Sequence, residues 1–279
     1  LGIEMITVPM DADGPDMNSV EALVRDDHGI KGMWCVPRFS NPTGCVYSDR
    51  TVERIARLGQ IAAPDFRVFW DNAYAVHTLY DDALPLASIR DYCVQHGTLE
   101  SVFQFGSTSK VTFAGAGVAF MSSGPDNLAA LKSHLAFRTI GPDKVNQLRH
   151  VRFLKDPDTI AEHMRRHQKL IRPRFEAVLE TLNRELAGTG MGHWTVPRGG
   201  YFISFDTRPG LAREVVRLAA AIGVKLTPAG ATFPYGTDPD DRNIRLAPTF
   251  PSLEEVQDTV DAFVVCVKLA SVRQRLESD

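Results

Sequence analysis

A lysine follows three small hydroxyl residues in Ser107-Thr108-Ser109-Lys110, directly after the apolar run Val102-Phe103-Gln104-Phe105-Gly106. An amine at the mouth of a buried strand is costly unless its charge is paired or its nitrogen is used in chemistry. The chemistry open to such an amine is nucleophilic: a Schiff base with a carbonyl, then proton transfer once the amine is released. Two further polar clusters stand upstream, Asn41-Pro42-Thr43-Gly44 and Asp71-Asn72-Ala73-Tyr74, and each closes an apolar run of its own. Amine, carboxylate, phenol and amide are thus offered from three separate chain segments.

Those groups match what pyridoxal phosphate asks of a protein. Lys110 reads as the Schiff-base lysine, which would carry the proton between substrate Cα and cofactor C4′. Asp71 would keep the pyridine nitrogen protonated, and the Tyr74 hydroxyl and Asn41 amide would donate to the ring 3′-oxygen. Ser107 and Ser109 would supply short donors for the phosphate. Taken singly these signals are weak. Asn-Pro-Thr-Gly is usually a turn, an aspartate often caps a helix, and Ser-x-Ser-Lys is common on surfaces. Their order, and their position after three apolar runs, makes the joint signal strong.

The elements needed to position them can be read from periodicity. Ile3–Pro9, Gly32–Phe39, Phe66–Trp70, Val102–Phe105 and Gly117–Met121 are predicted strands, and the continuous apolar runs suit strands buried on both faces. Helices are predicted near Asp16–Arg25 and Thr51–Ala62, so the first half alternates strand and helix as an α/β layer fold does. Asp156-Pro157 is an N-cap followed by proline at the first helical position, opening a long helix towards Leu186. Beyond it the spacing predicts a hairpin around Gly199-Gly200 within Trp194–Phe205, and a helix over Leu211–Ile222. Short strands at Val224–Thr227 and Ile244–Leu246 follow, then a final helix opened by the capping box Ser252-x-x-Glu255. The division expected is a large domain over residues 1–157 and a smaller α+β domain over residues 158–279.

Composition sets outer bounds. The chain has 279 residues, 44% hydrophobic and 23% charged, with a formal net charge of −3. Those values are ordinary for a globular protein and give no reason to expect nucleic-acid or acidic-membrane partners. No apolar run approaches the roughly 20 residues of a membrane helix. Cys35, Cys45, Cys93 and Cys266 lack metal or redox spacing, which favours a reducing, cytoplasmic setting. His163 and His167 are four apart, but the intervening Met164-Arg165-Arg166 lacks a catalytic glutamate and adds repelling charge, so no metal is expected. No G-x-S-x-G elbow marks a serine hydrolase.

The chain resembles the fold-type-I, class I/II aminotransferases dependent on pyridoxal phosphate, and most closely the aspartate aminotransferase subgroup Ic, related to MocR-type aminotransferases. The resemblance runs through Val36–Gly44, Trp70–Tyr74, Ser107–Lys110, Gly199-Gly200-Tyr201-Phe202 and Asn243-Ile244-Arg245-Leu246-Ala247, in that order. It implies a large domain with a mainly parallel seven-stranded sheet, a smaller C-terminal domain, a cis Asn41–Pro42 bond, and a homodimer with shared active sites. It also implies small-molecule amino acid and 2-oxo acid substrates, with aspartate and 2-oxoglutarate favoured. Arg245 becomes the α-carboxylate clamp, since its planar fork matches a carboxylate and its apolar neighbours would turn it to the opposite side of the strand. Arg138 resembles the arginine that reaches across a dimer to a second carboxylate, with Lys144 its nearest competitor.

Two departures stand out. Many relatives carry a phosphate-holding arginine seven or eight positions after the lysine, where this chain has Gly117 and Val118; a partner's Lys144 is one expected substitute. The phosphate-binding turn and ring-stacking aromatic that relatives place before Leu1 are not visible, so a polypeptide of these 279 residues alone is expected to be inactive. The alternatives are an alanine, aromatic or aminoadipate aminotransferase, or the ligand-sensing domain of a MocR-type regulator.

Overall fold

A computed structural model describes residues 2–278. After a two-residue ribbon, β1 (Met10–Asp11) with β2 (Gly14–Pro15), the chain alternates α1 (Met17–Asp26), β3 (Gly32–Cys35), α2 (Asp49–Arg57), β4 (Arg67–Asp71), α3 (Ile89–His96) and β5 (Val102–Ser107). β6 (Ala119–Ser122), α4 (Pro125–Arg138) and α5 (Lys144–Leu154) lead into the 30-residue α6 (Pro157–Leu186). The remainder is β7 (Gly192–Trp194), β8 (Ile203–Thr207), α7 (Ala212–Ala221), β9 (Asn243–Leu246) and α8 (Leu253–Ser278).

The larger sheet has the order β3-β4-β5-β6, in which the first three strands are parallel and β6 is antiparallel. The described residues therefore supply four strands, three of them parallel. Strand alternation sorts β4 cleanly: Val68 and Trp70 enter a core with Val20, Ile55, Ile89 and Cys93 from α1, α2 and α3. Phe69 points the other way, stacked on Trp34 at 5.5 Å and on Phe105 at 6.2 Å. Trp34 is 66% exposed, so the face bearing this ladder is open among the described residues.

A second core lies under the antiparallel sheet β7-β8-β9. Phe175, Leu182 and Leu186 of α6 meet Phe263 and Val267 of α8 beneath Ile203, Phe205 and Ile244. The caps read from sequence are in place: the Asp156 carboxylate accepts from Thr159 N at 2.8 Å. Ser252 N donates to Glu255 Oε2 at 2.7 Å while Glu255 N donates to Ser252 Oγ at 3.2 Å, the reciprocal capping box.

Two predicted strands fail for one physical reason, the want of a neighbouring edge, and a predicted hairpin forms in a different register. Ile3–Pro9 has strand-like alternation but forms no strand; a strand needs a ladder partner, and none lies beside it among the described residues. Val224–Thr227 is irregular: Val224 N closes back on Ala219 O at 2.9 Å and Leu226 leans on the core of the small sheet without pairing. The predicted hairpin is real as an antiparallel β7–β8 pair, yet its register, Gly192 opposite Thr207, leaves residues 195–202 as a long connection. Gly199 instead bridges to Thr78, tying that connection to the segment after β4.

Candidate active site

The marked residues gather at the C-terminal ends of parallel strands, where open α/β sheets present ligands. Asp71 ends β4, Ser107 ends β5, and Lys110 sits in the turn just beyond. Asn41 lies six residues past β3, in a tight turn closed by Ser40 N to Cys45 O at 2.9 Å, with a cis Asn41–Pro42 bond. A cavity of about 210 Å³ opens between these ends, lined by Asp71, Ala73, Phe105, Ser107, Lys110 and Phe120. A larger cavity, about 580 Å³, lies between Phe113, Arg149, Phe153 and His163; its walls hold none of the residues read from the sequence as cofactor or substrate contacts.

Tyr74 is buried beside the lysine, with the Lys110 Nζ 5.1 Å from its ring centre. Burial pushes the Tyr74 phenol up to about 12, against the opposing pull of the Arg245 charge. The hydroxyl is therefore a protonated donor at neutral pH. Arg245 rises from β9 between buried Ile244 and Leu246, and alternation turns its guanidinium to the side opposite them. There it lies 4.4 Å from the Phe202 ring centre, and its Nη1 donates to Asn41 Oδ1 at 3.2 Å. The small sheet thus delivers a cationic fork to the end of the large one. Its Nε is buried and unpaired, leaving donor capacity for a further acceptor.

One residue with a strained backbone lies at the same place. Phe39, 1% exposed, holds φ at +50°, a conformation rare outside glycine. It is wedged by Gly200 (φ +78°), where a Cβ would come within 2.8 Å of the Phe39 Cβ. Arg38 reaches the Ala75 carbonyl, joining the Asn41 turn to the Tyr74 turn. Sequence reading missed Arg38, Phe39 and His77. Their only signals were a charge and a bulky ring at the end of a predicted strand and an imidazole in a loop, and residue type alone does not reveal such contacts.

The structure also gives the glycine at position 117 a cause. A Cβ on Gly117 would lie 2.7 Å from Ser109 N and 2.8 Å from Ser109 Cα, and Val118 is engaged with Thr108 through both backbone groups. The strand returning to β6 packs directly against the lysine turn, so position 117 has no room for a side chain. Ser107 lines the cavity and its Oγ accepts from Ser109 N at 2.9 Å, leaving its own proton free to donate. Ser109 lies against Gly117 and is not part of that lining. Arg138, at the end of α4, and Lys144, at the start of α5, are both exposed and stand outside the cavity wall.

The donor set fits pyridoxal phosphate: an amine for the aldehyde, a carboxylate at the strand end, a protonated phenol, and hydroxyl donors at the rim. The unpaired buried Asn72 Oδ1 next to Asp71 shows that this corner retains acceptor capacity beyond what the protein itself fills. A lysine at the end of a parallel strand, met by an arginine from a second sheet, defines the class I/II, fold-type-I aminotransferase architecture. The chain belongs to the aspartate amino-transferase family, whose model matches residues 1–279. It is 47% identical over 275 residues to a Mycolicibacterium smegmatis protein provisionally named an aminotransferase, covering 99% of this chain and 64% of that one. It is 46% identical over 270 residues to a Corynebacterium glutamicum aspartate aminotransferase, covering 97% of this chain and 62% of that one. A crystal structure of an aspartate transaminase from Corynebacterium glutamicum superposes with a TM-score of 0.95 at 46% identity, over 98% of this chain and 64% of that chain. The chain thus spans somewhat less than two thirds of the length of these curated relatives.

Proposed function

We propose that this chain carries the lysine and the carboxylate clamp of a pyridoxal phosphate-dependent aminotransferase, with aspartate and 2-oxoglutarate as its amino acid and oxo acid. The observation that supports this most directly is the contact between Arg245 Nη1 and Asn41 Oδ1 beside the cavity that holds Lys110 and Asp71. Tyr74 links the two groups, since its ring lies 5.1 Å from the Lys110 amine and its phenol feels the Arg245 charge. The preference for aspartate draws on the relatives of about 46% identity.

When bound, the cofactor supplies an electron sink for charge left on the substrate Cα. Asp71 would hold the proton on the ring nitrogen, and Tyr74 and Asn41 would donate to the 3′-oxygen. Arg245 pairs with the α-carboxylate through parallel N–H bonds, orienting the Cα–H towards Lys110. The Lys110 amine would take that proton from Cα and hold it for return. Ser107 is the hydroxyl donor nearest the cavity for the phosphate, with Ser109 behind it, and a partner's Lys144 would take the place of the usual arginine. In this reading the protein is a cytoplasmic homodimer, and Arg138 of a second copy grips the side-chain carboxylate. The exposed Phe137 and Ile140 flanking Arg138 suit a surface shared by two copies. Among the described residues no helix is long and apolar enough to cross a membrane.

The test is the visible absorption spectrum of the full-length, cofactor-loaded protein before and after aspartate. Bleaching of the lysine-linked band by aspartate, and absence of that band in Lys110→Ala, are the expected results. Bleaching only by another amino acid would redirect the substrate, and bleaching by none would favour ligand sensing. A band retained in Lys110→Ala would remove the assignment altogether.

A further inference from the structure

Lys110 is gripped at its carbonyl as well as offered at its amine. The turn Thr108–Thr112 does not continue as a helix, and among the described residues no backbone N–H returns to the Lys110 carbonyl. Two side chains reach it instead. His77 Nε2 lies 2.9 Å away and the Tyr201 hydroxyl 3.0 Å away. A carbonyl oxygen only accepts, so both neighbours donate and the imidazole proton sits on Nε2.

The environment selects that tautomer in its neutral form. His77 is 5% exposed, and its Nδ1 is buried without a partner. A second proton on the ring would place a charge on a side chain that is almost wholly buried. Burial holds the ring below its usual pKa, against the pull of the Lys110 and Tyr74 carbonyls and with the charges of His167 and Lys110 pushing the same way as burial. The ring is also fixed in angle, edge-on to Tyr201 at 5.3 Å and to Tyr74 at 5.7 Å, and the Tyr74 ring in turn faces the Lys110 amine.

The two donors come from different parts of the chain but are tied together. Gly200 N donates to His77 O at 2.9 Å, and Leu79 N donates to Arg198 O at 2.9 Å. The segment after β4 and the segment before β8 are therefore pinned together on either side of the lysine turn.

We propose that His77 and Tyr201 are positioning residues, a two-donor clamp on the Lys110 carbonyl that fixes the lysine backbone and so aims its amine into the cavity. Neither side chain lines that cavity. A lysine stem has four flexible carbons, and any freedom in its backbone is multiplied at the nitrogen. The proposal rests on the reading of Lys110 as the cofactor lysine.

The experiment uses the full-length protein, stripped of pyridoxal phosphate and titrated with it, in wild type, His77→Phe, Tyr201→Phe and His77→Gln. Borohydride reduction followed by peptide mass analysis measures labelling of Lys110, and thermal midpoints are recorded for each protein. Loss of one neutral hydrogen bond is expected to weaken cofactor affinity about fivefold in each Phe variant and to lower labelling at limiting cofactor. His77→Gln, whose amide nitrogen reaches as far as Nε2, is expected to return affinity to within about twofold of wild type. Wild-type affinity and labelling in both Phe variants would overturn the clamp, as would a His77→Gln as weak as His77→Phe at an unchanged thermal midpoint. Nitrogen-15 spectra of histidine-labelled wild type give a readout free of substitution: a proton on Nδ1 instead of Nε2 overturns the proposal. Wild type that is not labelled at Lys110 at all would fail the reading of the lysine itself, and the clamp with it.

Discussion

At Tyr74, burial and proposed use bear on the same oxygen. The phenol must keep its proton to donate, and burial pushes its pKa up to about 12. Between pH 10 and about 12 the folded state then holds a proton that the unfolded chain has lost. The stability linked to Tyr74 is complete below pH 10 and disappears as pH rises through about 12. Urea unfolding across that range is expected to show falling stability in wild type and a shallower fall in Tyr74→Phe. Equal slopes would mean that Tyr74 titrates like an exposed phenol. At this scale the sequence was informative where residue type is itself chemistry. Lys110, Asp71, Tyr74, Asn41 and Arg245 stand out because an amine, a carboxylate, a phenol, an amide and a guanidinium close apolar runs or interrupt them. His77 and Arg38 did not stand out, because their part is to hold backbone carbonyls, and such partners are set by folding rather than by spacing. Gly117 was visible only as a missing arginine; its contact with Ser109 supplies the reason for a glycine there.

Elements were legible in proportion to how much of one face they bury and how plainly they are capped. α6 and α8 combine both signals, with Asp156 and the Ser252–Glu255 box at their starts and Leu182, Phe175 and Phe263 fully buried along their seam. α4 buries no residue, and α5 buries only His150 and Leu154, so neither announces itself through a core-facing stripe. The segments that failed as strands had the right alternation and no edge to pair with. The α6–α8 seam also supports the sheet that carries Arg245, since Ile244 beside it enters the same core. Leu182→Ala should cost about 2–5 kcal/mol through lost contacts and a residual cavity. Denaturant titration monitored at Trp194, which packs on that core, is the measurement. A loss below about 1 kcal/mol would show that the seam repacks freely.

For the molecule as a whole, the informative surfaces are the apolar ones left open. Parallel sheets are generally covered on both faces. Here α1, α2 and α3 cover one face, while the Trp34–Phe69–Phe105 ladder on the other runs towards the cavity at Phe105. Beyond the sheet, Phe137 is 95% exposed, Ile140 fully so, and Val145 73% exposed, on two successive helices and the turn between them. Single exposed apolar residues are unremarkable, but a run of bulky ones beside Arg138 and Lys144 is the kind of surface that proteins bury against a partner. The composition of the chain gave no hint of this, since the same residues could equally have formed core; only their placement outside both cores distinguishes them. If two copies meet there, each would bring Arg138 and Lys144 towards its neighbour's site, and dimerisation and substrate grip would be one event. Phe137→Asp combined with Val145→Asp in the full-length protein should then lower the dimer fraction in sedimentation at a fixed concentration. It should also raise the KM for aspartate in parallel, because the distal carboxylate loses its fork with the partner. A variant that became monomeric while keeping its KM would separate the two roles and return Arg138 to an ordinary surface position.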